Sequence, residues 1–168
     1  GRTCAGDAFG LYRNQRDSVC FSQHPEPGSA RPAAAAFQLM ARVFGSVPHS
    51  AAVIESFDKG VTVIVFDRAE TDERIYVAWN RTFEPLQIDL PAGATDAALY
   101  TLAVERRIRP NADKIYRLGL PPAAPDNYPT LEPGDVSAIG GGPVIVVERL
   151  SDEPARDVLA RVVVSAPG

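Results

Sequence analysis

The stretches Gly60-Val-Thr-Val-Ile-Val-Phe-Asp67 and Arg74-Ile-Tyr-Val-Ala-Trp-Asn80 decide the fold of this 168-residue chain. Half of their residues other than glycine are β-branched, neither stretch contains proline, and the polar segment Arg68 to Glu73 joins them. Two such runs separated by a short polar segment are typical of an antiparallel hairpin. They therefore predict a β-hairpin around which the remaining strands are arranged.

The side chains of the second stretch alternate between two faces, because successive residues of a strand point in opposite directions. Ile75, Val77 and Trp79 share one face, which we interpret as a core face. The opposite face carries Arg74, Tyr76, Ala78 and Asn80. The first stretch is apolar on both faces, which indicates a central strand beneath a second layer.

Further segments with a period of two residues follow the hairpin or precede it, at 51–57, 86–90, 97–102, 114–120 and 143–148. Turn residues such as Asp58-Lys-Gly60 and Pro91-Ala-Gly93 separate them. This spacing predicts a mainly β fold, an antiparallel β-sandwich of about seven or eight strands. The proline- and glycine-rich connection from Pro121 to Gly142 is predicted to be an ordered crossing loop or a flap.

One N-terminal packing helix is predicted after Ser29-Ala-Arg-Pro32, because proline suits the first helical turn, and Gly45 suits its end. Apolar residues recur there at spacings of three and four: Ala33, Ala36, Phe37, Met40, Ala41 and Phe44. Leu39 and Val43 widen this apolar surface beyond that of an ordinary surface helix. We therefore expect Phe37, Met40 and Phe44 to pack against a partner that lies outside this chain.

The sequence divides into three parts. Residues 1–48 form an N-terminal loop and helix, residues 49–150 form the β-sandwich, and residues 151–168 form a tail. Within the tail, Asp152-Glu-Pro-Ala-Arg is predicted to begin a short helix, and Arg161-Val-Val-Val-Ser reads as an eighth strand. The chain lacks an initial methionine, so we expect it to begin inside a longer protein.

Charge and hydrophobicity exclude two classes of partner. The net charge is −4, and the longest basic cluster is Arg106-Arg107-Ile-Arg109, so no nucleic-acid partner is expected. Apolar runs fall far short of the roughly 20 residues that a membrane-spanning helix needs. We accordingly expect no membrane partner.

Two cysteines, Cys4 and Cys20, lie 16 positions apart in the N-terminal loop. A disulfide between them would stabilise the fold by about 3 kcal/mol in the chain-entropy model. Two unpaired thiols are the equally weighted alternative. A zinc site would need further ligands, and only His24 is near, so neither a metal nor another cofactor is expected.

Catalytic patterns are sparse. His24 and His49 are far apart, and no Gly-x-Ser-x-Gly motif accompanies them. Gly140-Gly-Gly142 precedes a strand instead of opening a helix, so it is predicted to be a turn with positive φ values, not a phosphate loop. The remaining candidate acids fall mostly in predicted turns and are expected to be solvated: Asp7, Asp58, Asp67, Asp89 and Asp135. We expect no catalytic residue in this chain.

Aromatic side chains offer a different chemistry, because the C–H face of a sugar packs on an aromatic ring. Tyr76, Trp79, Tyr100, Tyr116 and Tyr128 could together form a stacking platform for sugar rings. Trp79, Tyr100 and Tyr116, however, alternate with polar residues in predicted strands and are therefore expected in the core. Tyr128, in Asp126-Asn-Tyr-Pro129, is the candidate carbohydrate-binding residue. Asn80-Arg-Thr82 also matches the glycosylation acceptor pattern.

Two stretches carry a resemblance to a known family. Asp7-Ala-Phe-Gly-Leu-Tyr-Arg-Asn14 and Arg31-Pro-Ala-Ala-Ala-Ala-Phe-Gln-Leu-Met40 resemble the end of the catalytic (β/α)8 barrel of bacterial glycoside hydrolases, where a G-L-x-R-x-D-G-S-x-R-P-A-x-x-A-F pattern occurs. The matching positions are Gly10, Leu11, Arg13, Arg31, Pro32, Ala33, Ala36 and Phe37. Residues 15–30 replace the usual short Asp-Gly-Ser link. The remainder, through Ile139-Gly-Gly-Gly-Pro-Val-Ile-Val-Val-Glu148, is similar to the β-sandwich that follows such barrels.

The resemblance implies a non-catalytic accessory domain that braces the catalytic barrel of a bacterial glycoside hydrolase-like protein. In such barrels the catalytic carboxylates lie on earlier strands, which are absent from these residues. The missing barrel would be the partner of this chain, and an extracellular location is one of the options. A carbohydrate-binding module acting through exposed aromatics such as Tyr128 is the alternative, and an enzyme with an unrecognised carboxylate site is the third.

Overall fold

A computed structural model of the chain describes residues 11–12, 29–30, 32–45, 52–123 and 141–168. The chain divides into two compact units, Gly1–Ser46 and Val47–Gly168. The predicted mainly β, antiparallel fold is confirmed, with nine strands among the described residues where seven or eight were expected.

Helix α1 (Pro32–Phe44) belongs to the first unit, and all strands named here belong to the second. In chain order these are β1 (Val53–Phe57), β2 (Val61–Arg68), β3 (Glu73–Asn80), β4 (Leu86–Pro91), β5 (Ala97–Tyr100), β6 (Glu105–Ile108), β7 (Ile115–Leu120), β8 (Val144–Arg149) and, after helix α2 (Ala155–Leu159), β9 (Val163–Ser165). They form a six-stranded sheet, in the order β1-β2-β3-β8-β5-β6, and a three-stranded sheet, β7-β4-β9. Each pairing is antiparallel.

The predicted hairpin lies inside the larger sheet. Strands β2 and β3 pair along their whole length, with Val65 opposite Tyr76, and β8 pairs with the other edge of β3. Strand β8 thus lies between β3 and β5, although it follows β5 by more than forty residues in the sequence. The β-branched composition of β2 suits this position because both of its edges are bonded and little of it is exposed.

One apolar core joins the two sheets. The larger sheet contributes Val61, Val63, Val65 and Val146, and the smaller sheet contributes Ile88, Leu90, Leu118 and Leu120. Val158 and Leu159 of α2 belong to the same cluster. Burying each such side chain stabilises the fold by roughly 1.5–3 kcal/mol, so the core accounts for the sandwich arrangement. The tail residues are part of this core.

The face of β3 that carries Ile75 and Val77 is buried as predicted, and the opposite face is buried as well. Tyr76 and Ala78 point into the core between the sheets, whereas Ile75 and Val77 are buried on the opposite face of the strand. Strand β3 is therefore covered on both faces. Arg74, which shares a face with Tyr76, is buried because hydrogen bonds satisfy its guanidinium group, so its charge did not place this face in water.

Three other elements differ from expectation or refine it. Strand β6 was not predicted, because Glu105–Ile108 is exposed and lacks apolar alternation. The tail contains both the short helix and the strand that the sequence suggested. Strand β7 has one solvent-exposed face, with Arg117 and Gly119 exposed.

Helix α1 presents two different apolar sides. Ala34, Leu39 and Val43 are buried, whereas the side chains of Phe37 and Met40 are 61% and 44% exposed. Phe44 is half-buried. The helix ends as predicted at Gly45, which has a positive φ and donates its amide to the carbonyl of Ala41 at 2.8 Å.

The predicted positive φ values near Gly142 were wrong for the two glycines of that run that the structure describes. Gly141 is required for a different reason. A Cβ there would overlap with the carbonyl oxygen of Pro121 and lie 2.6 Å from that of Pro122. The Gly141 amide donates to the Asn80 carbonyl at 2.8 Å, which holds this close approach in place.

Candidate functional site

Glu148 of β8 is the buried carboxylate of the described chain, with 3% of the residue exposed. Its Oε1 accepts hydrogen bonds from the Tyr76 hydroxyl at 2.9 Å and from the Gly93 amide at 3.1 Å. Its Oε2 accepts from the Tyr116 hydroxyl at 3.2 Å and from the Ala94 amide at 3.1 Å. The Gly93 amide is shared between both oxygens. This group of residues is called the Glu148 cluster below.

The Glu148 cluster connects three parts of the sandwich. Tyr76 lies in the larger sheet, Tyr116 in the smaller sheet, and Gly93 and Ala94 in the turn between β4 and β5. A carboxylate has about four lone-pair positions, and four donors fill them here. Glu148 therefore has no acceptor position left for a substrate proton, and its arrangement suits a structural role better than general base catalysis.

Both tyrosine hydroxyls of the cluster are held in the neutral, hydrogen-donating form. Burial raises the pKa of Tyr76 far above its usual value, the negative charge of Glu148 adds to this, and the opposing effect of Arg74 is smaller. Burial and the charge of Glu148 likewise raise the pKa of Tyr116. The two phenols consequently remain protonated donors throughout the physiological pH range.

Arg74 of β3 forms a second buried polar group beside the first. Its Nε and Nη2 donate to the two carboxylate oxygens of Asp67 at 2.6 and 2.9 Å. Its Nη1 donates to the Ser151 hydroxyl at 3.2 Å, and its Nη2 also donates to the Glu153 carbonyl at 2.8 Å. Burial works to lower the pKa of Arg74, but the Asp67 bonds and nearby negative charge outweigh it and raise the pKa. Arg74 therefore joins the hairpin to the tail.

The prediction that Asp67 and Asp89 are solvated was wrong. Asp67 is half-buried in β2 and holds Arg74 through the paired bonds described above. Asp89 lies in β4 and accepts two hydrogen bonds of 2.9 Å from Arg117 of β7. These bonds lower the pKa of Asp89 despite the opposing effect of its partial burial.

Asn80 closes β3 with a side chain that is fully buried. Its Oδ1 accepts from the amide and the hydroxyl of Thr82, both at 2.8 Å, and its Nδ2 donates to the Glu84 carbonyl at 2.7 Å. This geometry organises the turn after β3. The glycosylation pattern at Asn80 is thus not an accessible acceptor in the folded domain.

The described residues of the sandwich unit form two open clefts of note. The first, of about 570 Å³, runs between β1 and α2, and its charged lining residues are Glu55 and Arg156. The second, of about 280 Å³, is lined by two arginines, a threonine, a glycine and apolar side chains: Arg106, Arg117, Thr101, Gly119, Leu99, Val104, Leu118 and Val144. Neither cleft brings two carboxylates together, as glycoside hydrolysis requires.

Four of the aromatic residues considered for a sugar platform, Tyr76, Trp79, Tyr100 and Tyr116, are buried or half-buried. Tyr116 is buried as predicted, whereas Trp79 and Tyr100 are half-buried. Tyr128 lies outside the described residues, so its role in carbohydrate binding stays a prediction. The same applies to the disulfide between Cys4 and Cys20 and to the two histidines, which also lie outside them.

Within the described ranges, no three histidine, cysteine or acidic side chains come together as metal ligands. Neither α1 nor α2 has the length and apolar character that crossing a bilayer requires. Sequence reasoning missed Glu148 and Arg74 as the central polar residues. The only available signal was their position on strands, at sites that alternate with apolar residues.

Comparison with known proteins gave no match to a family model, a curated protein or a solved structure.

Proposed function

We propose that this chain is a non-catalytic accessory β-sandwich that braces the catalytic barrel of a glycoside hydrolase-like protein. Its helix α1 would be the last helix of that barrel, as the resemblance of its sequence implies. The observation that carries the proposal is the exposure of Phe37 and Met40 on a helix whose other side is already buried.

The distribution of apolar residues on α1 supports a partner. Phe37 and Met40 are three residues apart, so their side chains are neighbours on the helix surface. Leu39 and Val43 occupy a different side, which is covered within this chain. An exposed apolar surface of this kind marks an interaction site, and a barrel helix has neighbouring helices and a strand to meet.

The polar interior of the sandwich supports bracing over chemistry. Glu148 and Arg74 use their hydrogen-bonding capacity on neighbouring parts of the same fold. They connect the two sheets, the β4–β5 turn and the tail into one body. A support domain needs such rigidity, whereas an acid or base must keep a position free for substrate.

The proposal can be tested in a longer polypeptide that contains the upstream barrel. We expect Phe37→Ser with Met40→Ser to lower the temperature at which glycosidase activity is lost, because the variant removes apolar contacts at the junction. Gln38→Ser, at an exposed position on the same helix, is the matched control and should leave that temperature unchanged.

The isolated chain should hydrolyse none of a panel of aryl glycosides. Turnover that persists through purification, or a double serine variant as heat-resistant as the control, would refute the bracing role.

A further inference from the structure

The two sheets of the sandwich are unequal, and their flanks are covered differently. At one flank, helix α2 contacts both β1 and β4 and closes the space between the sheets. At the other flank, β7 is the edge of the three-stranded sheet and lies over β3. The inner face of β5 and β6 extends beyond it. The 280 Å³ cleft lies in this place.

Among the described residues, no strand pairs with the outer edge of β7, and this edge borders the cleft. The Ala92 amide bonds to the Lys114 carbonyl at 2.9 Å, so alternate residues of β7, beginning with Tyr116, bond to β4. Arg117 and Gly119 then direct their backbone N–H and C=O groups away from β4. Both residues line the cleft.

The cleft has an apolar floor and a basic rim. Leu99, Leu118 and Val144, all buried, form the floor. Arg106 lies opposite Leu99 in the β5–β6 pair, so its side chain emerges on the same face of the sheet. Among the described residues it forms no ion pair, and no carboxylate lines the cleft. Within the part of the chain that the structure describes, Arg106 is thus the rim cation without a carboxylate partner, whereas Arg117 pairs with Asp89.

Gly119 adds a vacancy on the outer face of β7. A Cβ placed on this residue would meet no atom within 4 Å. A large side chain on a neighbouring strand can cover such an edge glycine. The edge of β7 thus offers unpaired backbone groups and space beside Gly119, and the adjoining cleft offers an apolar floor and a cation.

We propose that an extended acidic peptide segment of a partner protein binds here as a fourth strand alongside β7. Its backbone pairs with the outward groups of Arg117 and Gly119, and alternate side chains pack on the apolar floor. A carboxylate of the segment pairs with Arg106, and a bulky side chain covers Gly119. This interaction goes beyond the bracing role and does not depend on it.

The test uses a fluorescein-labelled octapeptide of repeated Val-Thr-Glu-Thr, in which valine and glutamate share the face toward the cleft, titrated with the 168-residue chain by fluorescence anisotropy. We expect saturable binding, and no binding when lysine replaces glutamate. Gly119→Pro removes only an outward N–H and should weaken binding about fivefold, the effect of one lost hydrogen bond. Gly119→Ala keeps the N–H and should weaken binding less than Gly119→Pro does.

A second pair of variants tests the charge without altering the backbone. Arg106→Gln should weaken binding severalfold, whereas Arg107→Gln should not, because Arg107 lies on the other face and pairs with Asp96 at 2.9 Å. If Gly119→Pro fails to fold, the native chain is instead titrated with a peptide whose valines are N-methylated. This peptide should not bind.

Three results would overturn the proposal. They are the absence of saturable binding, equal binding of the lysine peptide, and equal affinity of Arg106→Gln and Arg107→Gln. Slow amide exchange at Arg117 and Gly119 in the free chain would also overturn it, because the edge would already be covered by the chain itself or by a second copy.

Discussion

Glu148 places a negative charge in an interior built mainly from valine, leucine and isoleucine. Moving an ion out of water costs several kcal/mol unless hydrogen bonds and opposite charge offset it. Here two phenols and two amides supply the hydrogen bonds. Arg74 lies opposite Glu148 in the β3–β8 register and supplies a positive charge nearby.

The isosteric change Glu148→Gln should lower the free energy of unfolding by about 2–4 kcal/mol, because the new amide group faces donors and leaves some of them without an acceptor. Urea denaturation measures the effect. Glu70→Gln, at an exposed turn position, is the control and should remain within about 0.5 kcal/mol of the native chain. Equal midpoints for the two variants would contradict the role given to Glu148.

The tyrosines of the cluster predict how stability depends on alkaline pH. Their pKa values are higher in the folded chain than in the unfolded chain, where the pKa of a phenol is about 10. Their contribution is therefore complete below that pH and is lost as the pH rises toward the folded pKa values, because the unfolded state releases protons first.

We expect the ultraviolet signal of two phenolates to appear together with the loss of β-sheet circular dichroism. Tyr116→Phe should remove one of them. Ionisation of both phenols in the folded chain would count against their burial beside Glu148.

At the level of elements, alternation predicted most strands but neither their order nor every strand. The runs from Val61 and from Ile115 alternate or are β-branched, so each was found close to its observed bounds. Strand β6 escaped because Glu105–Ile108 is a charged edge strand without an apolar face. The position of β8 between β3 and β5 depends on contacts distant in sequence, which no local pattern contains.

The candidate site was the least predictable part. Glutamate and arginine are almost never fully buried unless they are paired. The residue types of Glu148 and Arg74 therefore did not indicate that these side chains are buried. Their partners are a turn amide, two phenols and a tail hydroxyl, which the fold brings together from separate segments. Hence a sequence that predicts a sandwich does not predict the polar group at its centre.

Gly141, which lies shortly before β8, allows a prediction about how this strand is positioned. Gly141→Ala should destabilise the sandwich by about 1–3 kcal/mol, because its Cβ meets backbone carbonyls that cannot turn aside. Gly142→Ala is the matched control, since the nearest atom to its Cβ is a Leu102 methyl carbon at 3.7 Å. Gly141→Ala should have a lower melting temperature than Gly142→Ala. Equal melting temperatures would show that the backbone can relax where Gly141 passes the Pro121 and Pro122 carbonyls.

For the molecule as a whole, both units leave some large apolar side chains exposed. The sandwich unit has one extended core, but Ile54, Phe83 and Val163 on its surface are more than half exposed. The helix of the first unit leaves Phe37 and Met40 exposed. These two residues are neighbours on a helix whose other side is buried, and that arrangement is the basis for proposing a structural partner.

In the isolated chain, Phe37→Ser with Met40→Ser should change the free energy of unfolding by less than about 0.5 kcal/mol, as exposed substitutions do. Binding of a hydrophobic dye should decrease. Leu39→Ser, at a buried position of the same helix, should be clearly destabilising. A large destabilisation by the double variant would mean that these side chains are already packed within the chain.

The insertion of β8 between β3 and β5 has a consequence for synthesis. During translation, the β1–β3 and β5–β6 portions leave the ribosome well before Val144–Arg149, so the larger sheet cannot close until β8 has emerged. Such non-local pairing slows folding and leaves strand edges open to association with other nascent chains. The unfinished sheet should therefore depend on chaperones until β8 is in place.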